Sequence, residues 1–203
     1  MTFVKMCGMR TAKDVAAAAE AGADAVGMVL TPGFGRSVAP ADAAEMVRLI
    51  PGDTESVGVF VDSPQEYVVS AAEKLGLGMI QLHGSEDGGY IGRIQKMTGL
   101  PVIKSFIVRS REDLAEAEGS GADFVLLDSG KGSGRTLDWE ALGPLGRRTV
   151  LAGGLTPENV EEAISKARPF AVDVSSGIET DGIKDPDKMR KFVEAAAKAG
   201  REE

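Results

Sequence analysis

Residues 149–177, with the sequence TVLAGGLTPENVEEAISKARPFAVDVSSG, contain one full repeat of the pattern that decides the fold. An apolar run over 149–152 is followed by two glycines and then by TPEN, which predicts a helix with Thr156 as N-cap and Pro157 in its first turn. A second apolar run, 170–174, follows this helix. Runs of Val, Ile and Leu with little polar alternation are typical of parallel strands covered by helices.

The same alternation of strand and helix continues along the whole chain. Apolar runs predict strands at 3–6, 25–30, 56–61, 78–82, 101–107, 123–127, 149–152 and 170–174. The predicted helices cover 11–21, 41–50, 63–75, 85–97, 110–118, 138–142, 156–167 and 186–199. Eight uninterrupted units predict an α/β fold in which residues 1–203 form a single-domain (β/α)8 TIM barrel. A doubly wound open sheet is the alternative.

Composition narrows the possible functions. The 203 residues are 43% hydrophobic and 27% charged, as expected for a folded globular chain. One cysteine and one histidine argue against a disulfide framework and against a His- or Cys-based metal site. A net charge of -8 argues against a nucleic-acid partner, because such binding depends on Lys and Arg. Residues 1–7 lack a signal-peptide core and no apolar run approaches about 18 residues, so we expect a cytoplasmic protein without a membrane partner.

A TIM barrel carries its active site at the carboxyl ends of its strands, and anions often bind after strands seven and eight. Glycines there allow the backbone to approach a ligand, and successive N–H groups can converge on an anion. We therefore predict a phosphate site, and a phosphorylated small molecule as the partner; the alternative is that the glycines only form turns. The residues of this predicted site are Gly153, Gly154, Ser175, Ser176 and Gly177.

Cys7 follows the first predicted strand. Lys5 lies on the same strand face, and a neighbouring cation would lower the pKa of the thiol and favour the thiolate. The sequence thus makes Cys7 a candidate catalytic residue, although a lone cysteine is more often a small buried apolar side chain.

Three further polar side chains end or follow strands. Asp128 precedes the Gly-rich segment 129–134, whose closure would exclude water and favour a protonated carboxyl able to act as a general acid. Arg36, in the loop 31–37, can bind a substrate carboxylate through a bidentate pair. The alternatives are that Asp128 caps a helix or orders its loop, that Arg36 is solvated, and that His83 only orders the loop after strand four.

Several segments taken together resemble the phosphoribosylanthranilate isomerase family, in the family's order and over nearly the whole chain. The opening Cys-Gly and the closing Asp-Val-Ser-Ser-Gly-Ile-Glu are the more specific ones. The segments are KMCGM (5–9), GADAVG (22–27), Arg36 with Pro40, VGVFV (57–61), QLHG (81–84), LLD (126–128), GSGRTLDW (132–139), AGGL (152–155), PENV (157–160) and AVDVSSGIE (171–179).

The resemblance implies an enzyme of tryptophan biosynthesis that opens the ribose ring of N-(5-phosphoribosyl)anthranilate by an Amadori rearrangement, without a cofactor or a metal. It implies that Cys7 is the general base, that Asp128 is the general acid and that Arg36 contacts the anthranilate carboxylate. His83 is a further candidate substrate-binding residue. Asp173 faces the barrel and is a candidate for a ribose hydroxyl, with a structural role as the alternative. We expect a monomer or a homodimer.

Two other functions stay open at this point. A different sugar-phosphate isomerase or epimerase on the same barrel would need a second carboxylate or metal ligands, and Cys7 argues against both. A non-catalytic sugar-phosphate binding protein would keep the glycines after strands seven and eight but would lack either Cys7 or Asp128, and both are present.

Overall fold

The computed structural model describes residues 2–130, 139, 142 and 148–199. Eight parallel strands close into a barrel in chain order, with each strand paired to the next and the eighth paired to the first. The predicted TIM barrel is confirmed and the open sheet is excluded. The strands are Phe3–Cys7 (β1), Ala25–Val29 (β2), Glu55–Phe60 (β3), Met79–Leu82 (β4), Val102–Ile107 (β5), Phe124–Asp128 (β6), Thr149–Leu151 (β7) and Ala171–Val174 (β8).

Helices surround this barrel. In the described ranges they are Ala12–Glu20 (α1), Pro40–Arg48 (α2), Gln65–Leu75 (α3), Gly88–Thr98 (α4), Arg111–Gly119 (α5), Val160–Ala167 (α6) and Pro186–Ala199 (α7). The predicted caps at Thr11 and Ser110 are confirmed, because each side chain accepts a hydrogen bond from the N–H of the aspartate three residues later. Among the described helices, none has the length and apolar character needed to cross a membrane. The helix predicted at 138–142 lies outside the described ranges, apart from single residues.

Three helices begin later than predicted, and α3 differs least, with its start at Gln65 rather than residue 63. α4 begins at Gly88 rather than Ser85, because the side chain of Asp87 accepts the N–H of Tyr90 and caps the helix there. α6 begins at Val160 rather than just after Thr156. The N–H of Thr156 donates to the side chain of Asn159 at 2.8 Å, so the TPEN segment forms a turn before the helix. For α4 and α6, a nearby Asp or Asn side chain offers the backbone a competing partner.

The connection from β8 to α7 contains structure that the sequence pattern does not predict. A short 3-10 helix, Ser176–Ile178, leads into a two-stranded antiparallel sheet of Glu179–Thr180 (β9) and Ile183–Lys184 (β10). This small hairpin lies beside the carboxyl ends of the barrel strands, since Lys184 Nζ donates to the carbonyl oxygen of Ser175 at 2.8 Å. The hairpin therefore adds two charged residues to the end of the barrel where the site is predicted.

The barrel interior is mostly apolar, with charged residues toward the carboxyl ends of its strands. Its cluster of buried side chains consists of Val57, Ile103, Leu126, Val150, Ala152 and Ala171. Side chains two residues apart share a strand face, so Asp173 faces the interior with Ala171, and Lys5 is its register partner on β1. At the opposite end, Phe3, Phe124 and Phe170 line a cavity of about 280 Å³, and the rings of Phe3 and Phe170 are stacked. None of the predicted site residues lines this cavity.

Candidate active site

Strand alternation directs three of the predicted site residues to one end of the barrel. Cys7 and Asp128 are the last residues of β1 and β6, and His83 directly follows β4. Asp128 shares its strand face with the interior residue Leu126. Met79 packs against the interior cluster, so His83, four residues later, points the same way. The structure therefore places all three at the carboxyl ends of strands, on the inner face of the barrel.

Cys7 lies in a tight polar corner between β1, β2 and β8. Lys5 Nζ donates to Asp173 Oδ1 at 2.7 Å, and both side chains are buried. The register pairs Cys7 with Gly27. A Cβ atom on Gly27 would lie 2.9 Å from Cys7 Sγ and 3.2 Å from Lys5 Nζ. Only a residue without a side chain leaves room here for the thiol and the ammonium together.

The prediction that Lys5 lowers the pKa of Cys7 is wrong in its net effect. The charge and hydrogen bond of Lys5 do act in the predicted direction, and Lys184 adds a weaker contribution. Burial of the thiol, which is 8% exposed, is the larger effect and raises the pKa of Cys7. Asp173 also raises it. The free protein therefore holds Cys7 mainly as a neutral thiol near neutral pH.

Asp128 is half-buried and lies directly against the loop after β7. Its Oδ1 accepts the N–H of Gly130 at 2.8 Å, so the carboxylate does order the start of the loop that follows it. A Cβ atom on Gly153 would lie 2.9 Å from this Oδ1 and 2.5 Å from the nitrogen of Ser129. Asp128 thus sits at the junction of the loops after β6 and β7. Residues 131–134 of the predicted closing segment lie outside the described ranges.

His83 is oriented by a neighbour on its own strand. Gln81 Nε2 lies 2.9 Å from His83 Nδ1, which is hydrogen-bond distance. Burial lowers the pKa of His83, partly offset by the negative charges of Asp128 and Asp173. The imidazole is therefore neutral near neutral pH, and Nε2 is the ring nitrogen that does not face Gln81. A neutral ring of this kind can form a hydrogen bond with a hydroxyl or phosphate oxygen.

The glycines after β7 have the backbone geometry that a phosphate site needs. Gly153 and Gly154 both adopt the left-handed conformation, with φ of 87° and 68°. The following loop packs closely against this one, because a Cβ atom on Gly177 would lie 1.9 Å from the carbonyl oxygen of Leu155. Within the described part of the chain, the N–H groups of Gly153, Gly154 and Ser176 donate to no other group. These N–H groups are available to an anion.

Arg36 is paired with a carboxylate that the sequence analysis did not select. Its Nε donates to Glu179 Oε1 at 2.9 Å and its Nη2 donates to Glu179 Oε2 at 2.8 Å. Lys184 Nζ lies 2.9 Å from Glu179 Oε1. Burial alone would raise the pKa of Glu179, but its bonds to Arg36 and Lys184 outweigh burial and hold it at about 2. Arg36 is therefore held by this ion pair, although 31% of its side chain remains exposed.

Metal binding has no obvious basis in the described part of the chain. No group of three or more His, Cys, Asp and Glu side chains is arranged there to hold an ion. The polar groups of the site are one thiol, one imidazole, two ion-paired carboxylates with their cations, the carboxylate of Asp128, and backbone N–H groups. Such a set can bind a phosphorylated anion and move protons.

Comparisons with known proteins identify the relatives of this chain. The sequence profile of a family described as N-(5'phosphoribosyl)anthranilate (PRA) isomerase matches residues 4–195. A protein from Geobacter sp. (strain M21) named N-(5'-phosphoribosyl)anthranilate isomerase is 43% identical over 206 residues, which is 98% of this chain and 99% of that protein.

Two solved structures of the same kind of enzyme are similar throughout. One is a phosphoribosyl anthranilate isomerase in complex with reduced 1-(o-carboxyphenylamino)-1-deoxyribulose 5-phosphate, with 37% identity and a TM-score of 0.87. The other contains monomers generated from the dimeric enzyme of Thermotoga maritima, also with 37% identity and a TM-score of 0.87. Each alignment covers 98% of this chain and 100% of the other.

Proposed function

The chain belongs to the phosphoribosylanthranilate isomerase family and is an isomerase, and from this premise we propose how its residues carry the reaction. The substrate is N-(5-phosphoribosyl)anthranilate and the product is 1-(2-carboxyphenylamino)-1-deoxyribulose 5-phosphate, formed by an acid-base Amadori rearrangement in tryptophan biosynthesis. The observation that carries the proposal is the placement of Cys7 and Asp128 at strand ends on the inner face of the barrel.

Asp128 acts first, as the general acid. Its protonated carboxyl gives a proton to the ribose ring oxygen while the bond between that oxygen and C1 breaks. The lone pair of the anthranilate nitrogen then forms an iminium ion with C1, which makes the hydrogen on C2 acidic. The contacts of Asp128 with Gly130 and with the Gly153 position support this role, because they hold the carboxyl group in place at the end of its strand.

Cys7 acts second, as the general base. Its thiolate removes the hydrogen from C2, and the electron pair of that bond neutralises the iminium ion to give an enolamine. The enolamine then tautomerises to the C2 ketone, with a proton added at C1. Because burial favours the neutral thiol, the thiolate depends on the neighbouring ammonium of Lys5 and on the cationic iminium of the bound intermediate.

The remaining site residues bind the two ends of the substrate. The N–H groups after β7 and β8 bind the phosphate, and Arg36 binds the anthranilate carboxylate. Asp173 uses Oδ1 for Lys5 and keeps Oδ2 for a ribose hydroxyl. The neutral ring of His83 forms a hydrogen bond with the substrate through Nε2.

The reaction itself is the test of this proposal. The purified protein is mixed with freshly prepared phosphoribosylanthranilate in the presence of a metal chelator, and the loss of anthranilate-type fluorescence is followed. We expect rapid loss that depends on enzyme concentration and is unaffected by the chelator. A rate no greater than that of the spontaneous reaction would contradict the proposed function.

We also propose a cytoplasmic protein with residues 1–203 in one domain, present as a monomer or a homodimer. The dimeric enzyme of Thermotoga maritima supports the second of these oligomeric states. Gel filtration with light scattering distinguishes them.

Gly154→Ala tests the phosphate site. A Cβ atom at this position meets no described atom within 4 Å, so it projects into the open space above the loop where the phosphate is proposed to bind. We expect the KM to rise about tenfold with kcat nearly unchanged, because an anion held by backbone N–H groups is displaced by the added methyl group. Steady-state kinetics measure both constants.

Gly76→Ala is the matched control. Gly76 also has a positive φ, 63°, and a Cβ atom there also meets nothing within 4 Å, but it caps α3 far from the proposed site. In both variants an alanine must adopt the left-handed conformation, which lowers the free energy of unfolding by roughly 1–2 kcal/mol. Equal KM values in the two variants would reject the assigned phosphate site.

A further inference from the structure

The hairpin of β9 and β10 inserts two buried charges beside the proposed site. The side chains of Glu179 and Lys184 are 7% and 1% exposed. The carboxylate of Glu179 accepts two bonds from Arg36 and one from Lys184, all between 2.8 and 2.9 Å. Lys184 Nζ also donates to the carbonyl oxygen of Ser175 at 2.8 Å. A continuous chain of ion pairs therefore joins the loop after β2 to the loop after β8.

The bonds to Glu179 fix which edge of the Arg36 guanidinium remains free. Nε–H and one hydrogen of Nη2 point to Glu179, which leaves the other hydrogen of Nη2 and both hydrogens of Nη1. One hydrogen from each terminal nitrogen forms a second fork that fits another carboxylate. Glu179 thus leaves the edge of the guanidinium formed by Nη1 and Nη2 unbonded, and it determines the direction in which this edge points.

The stem of Arg36 is held at the same time. A Cβ atom on Gly8 would lie 2.6 Å from Arg36 Cδ and 2.9 Å from Ser175 Oγ, so the arginine packs directly over the residue next to Cys7. With its stem against Gly8 and one guanidinium edge on Glu179, the orientation of Arg36 is fixed at both ends.

The cluster of Arg36, Glu179 and Lys184 has a net charge of one positive unit. Arg36 and Lys184 carry two positive charges and Glu179 carries one negative charge, which its pKa of about 2 maintains throughout the neutral range. A buried cluster with one surplus positive charge attracts an anionic group and offers the fork of Arg36 to it.

We propose that Glu179 is a positioning residue that orients Arg36 toward the aryl carboxylate of the substrate. The enzyme thereby prefers phosphoribosyl aryl amines whose aryl ring carries a carboxylate. This inference rests on the proposed function. Glu179 touches no reacting atom in this scheme, and its contribution appears only with a ligand that carries the carboxylate.

Glu179→Gln tests the inference with two substrates, N-(5-phosphoribosyl)anthranilate and N-(5-phosphoribosyl)aniline, which lacks the carboxylate. The Gln oxygen can still accept from Lys184 and from Arg36 Nε, but the amide group faces Nη2 with a donor and turns the guanidinium away. We expect the KM for the anthranilate compound to rise about tenfold and that for the aniline compound to change less than about twofold, with kcat nearly unchanged.

Glu162→Gln is the matched control, because it removes a carboxylate from an exposed ion pair with Lys166 at 2.8 Å and leaves both KM values unchanged. Equal changes for the two substrates in Glu179→Gln would overturn the inference and assign Glu179 a structural role. If Glu179→Gln fails to fold, Glu179→Asp keeps the charge and must show a smaller loss with the same selectivity.

Calorimetry with the reduced product analogue and its form without the carboxylate gives the same comparison without turnover. A selective loss of affinity for the carboxylated analogue supports the inference even if the turnover assay fails. If the wild-type protein shows no turnover, the proposed function is contradicted. If Glu179→Gln weakens the binding of both analogues equally, the inference about Glu179 is contradicted.

Discussion

Stoichiometric alkylation with iodoacetamide is expected to abolish turnover, because Cys7 is the single cysteine of the chain and the proposed base. The reduced product analogue should protect the thiol, because the proposed mechanism places the substrate next to Cys7. Cys7→Ser should fold normally and lose about 10³–10⁴-fold in kcat, because a serine hydroxyl is a far weaker base than a thiolate. Full activity after complete alkylation, verified by mass spectrometry, would remove Cys7 from the mechanism.

The pH dependence of this alkylation measures the thiolate of Cys7 directly, without turnover. Because burial raises the pKa of Cys7, the rate should be low at neutral pH and should rise at higher pH than for a free cysteine. Lys5 lowers this pKa and Asp173 raises it. Lys5→Met should therefore move the alkylation profile to higher pH, and Asp173→Asn should move it to lower pH. Shifts in one common direction would show that packing, rather than charge, controls the thiol.

Asp128→Asn is expected to lower kcat by at least about 10²-fold while the reduced product analogue binds nearly as tightly as to wild type. An asparagine keeps the shape of the side chain and an oxygen that can accept the N–H of Gly130, so this bond is kept. It cannot transfer a proton to the ring oxygen at neutral pH. Single-turnover fluorescence gives the rate, and calorimetry gives the affinity.

Asp62→Asn is the control for this change. Asp62 follows β3, and its Oδ1 accepts the N–H and the hydroxyl of Ser85, bonds that an asparagine oxygen can also accept. The same loss of a carboxylate should leave kcat unchanged there. A kcat near the wild-type value in Asp128→Asn would show that Asp128 only orders its loop, and another residue would then have to protonate the ring oxygen.

The barrel could be predicted because its determinants are local. Each strand is a short apolar run and each helix has apolar periodicity, and the order of eight such units leaves few topologies. Helix starts are less predictable, because several side chains compete for the same N–H groups. At TPEN, Thr156 and Asn159 are both good caps, and the choice depends on a turn that only the folded chain defines.

The site was predictable where strand alternation determines it. Alternation and the barrel rule place Cys7 and Asp128 on the inner face, and the glycines after β7, Gly153 and Gly154, both have a positive φ. Glu179 and Lys184 gave no such signal, because strands of two residues have no periodicity to detect. Glu179 does end the segment AVDVSSGIE (171–179). Its partner Arg36 is 143 residues away, so the sequence does not reveal the pair.

The sign of the Cys7 pKa shift could not be predicted for a different reason. The sequence identifies Lys5 as a neighbour, and the structure agrees that its charge favours the thiolate. The degree of burial depends on how closely β2 and β8 pack around the thiol, which is a property of the assembled barrel. When a favourable charge and an unfavourable desolvation oppose each other, sequence alone cannot rank them.

The absence of a side chain at Gly27 matters for any design that introduces a catalytic cysteine of this kind into another barrel. A cysteine at the end of the first strand of another barrel, with a lysine two residues earlier, would meet a Cβ atom in the second strand unless that position is glycine. Such a design must therefore introduce three residues on two strands, equivalent to Lys5, Cys7 and Gly27. The glycine is needed because it leaves space for the thiol and the ammonium group. Libraries that randomise position 27 should recover glycine almost exclusively under selection for activity, even though this residue contributes no functional group.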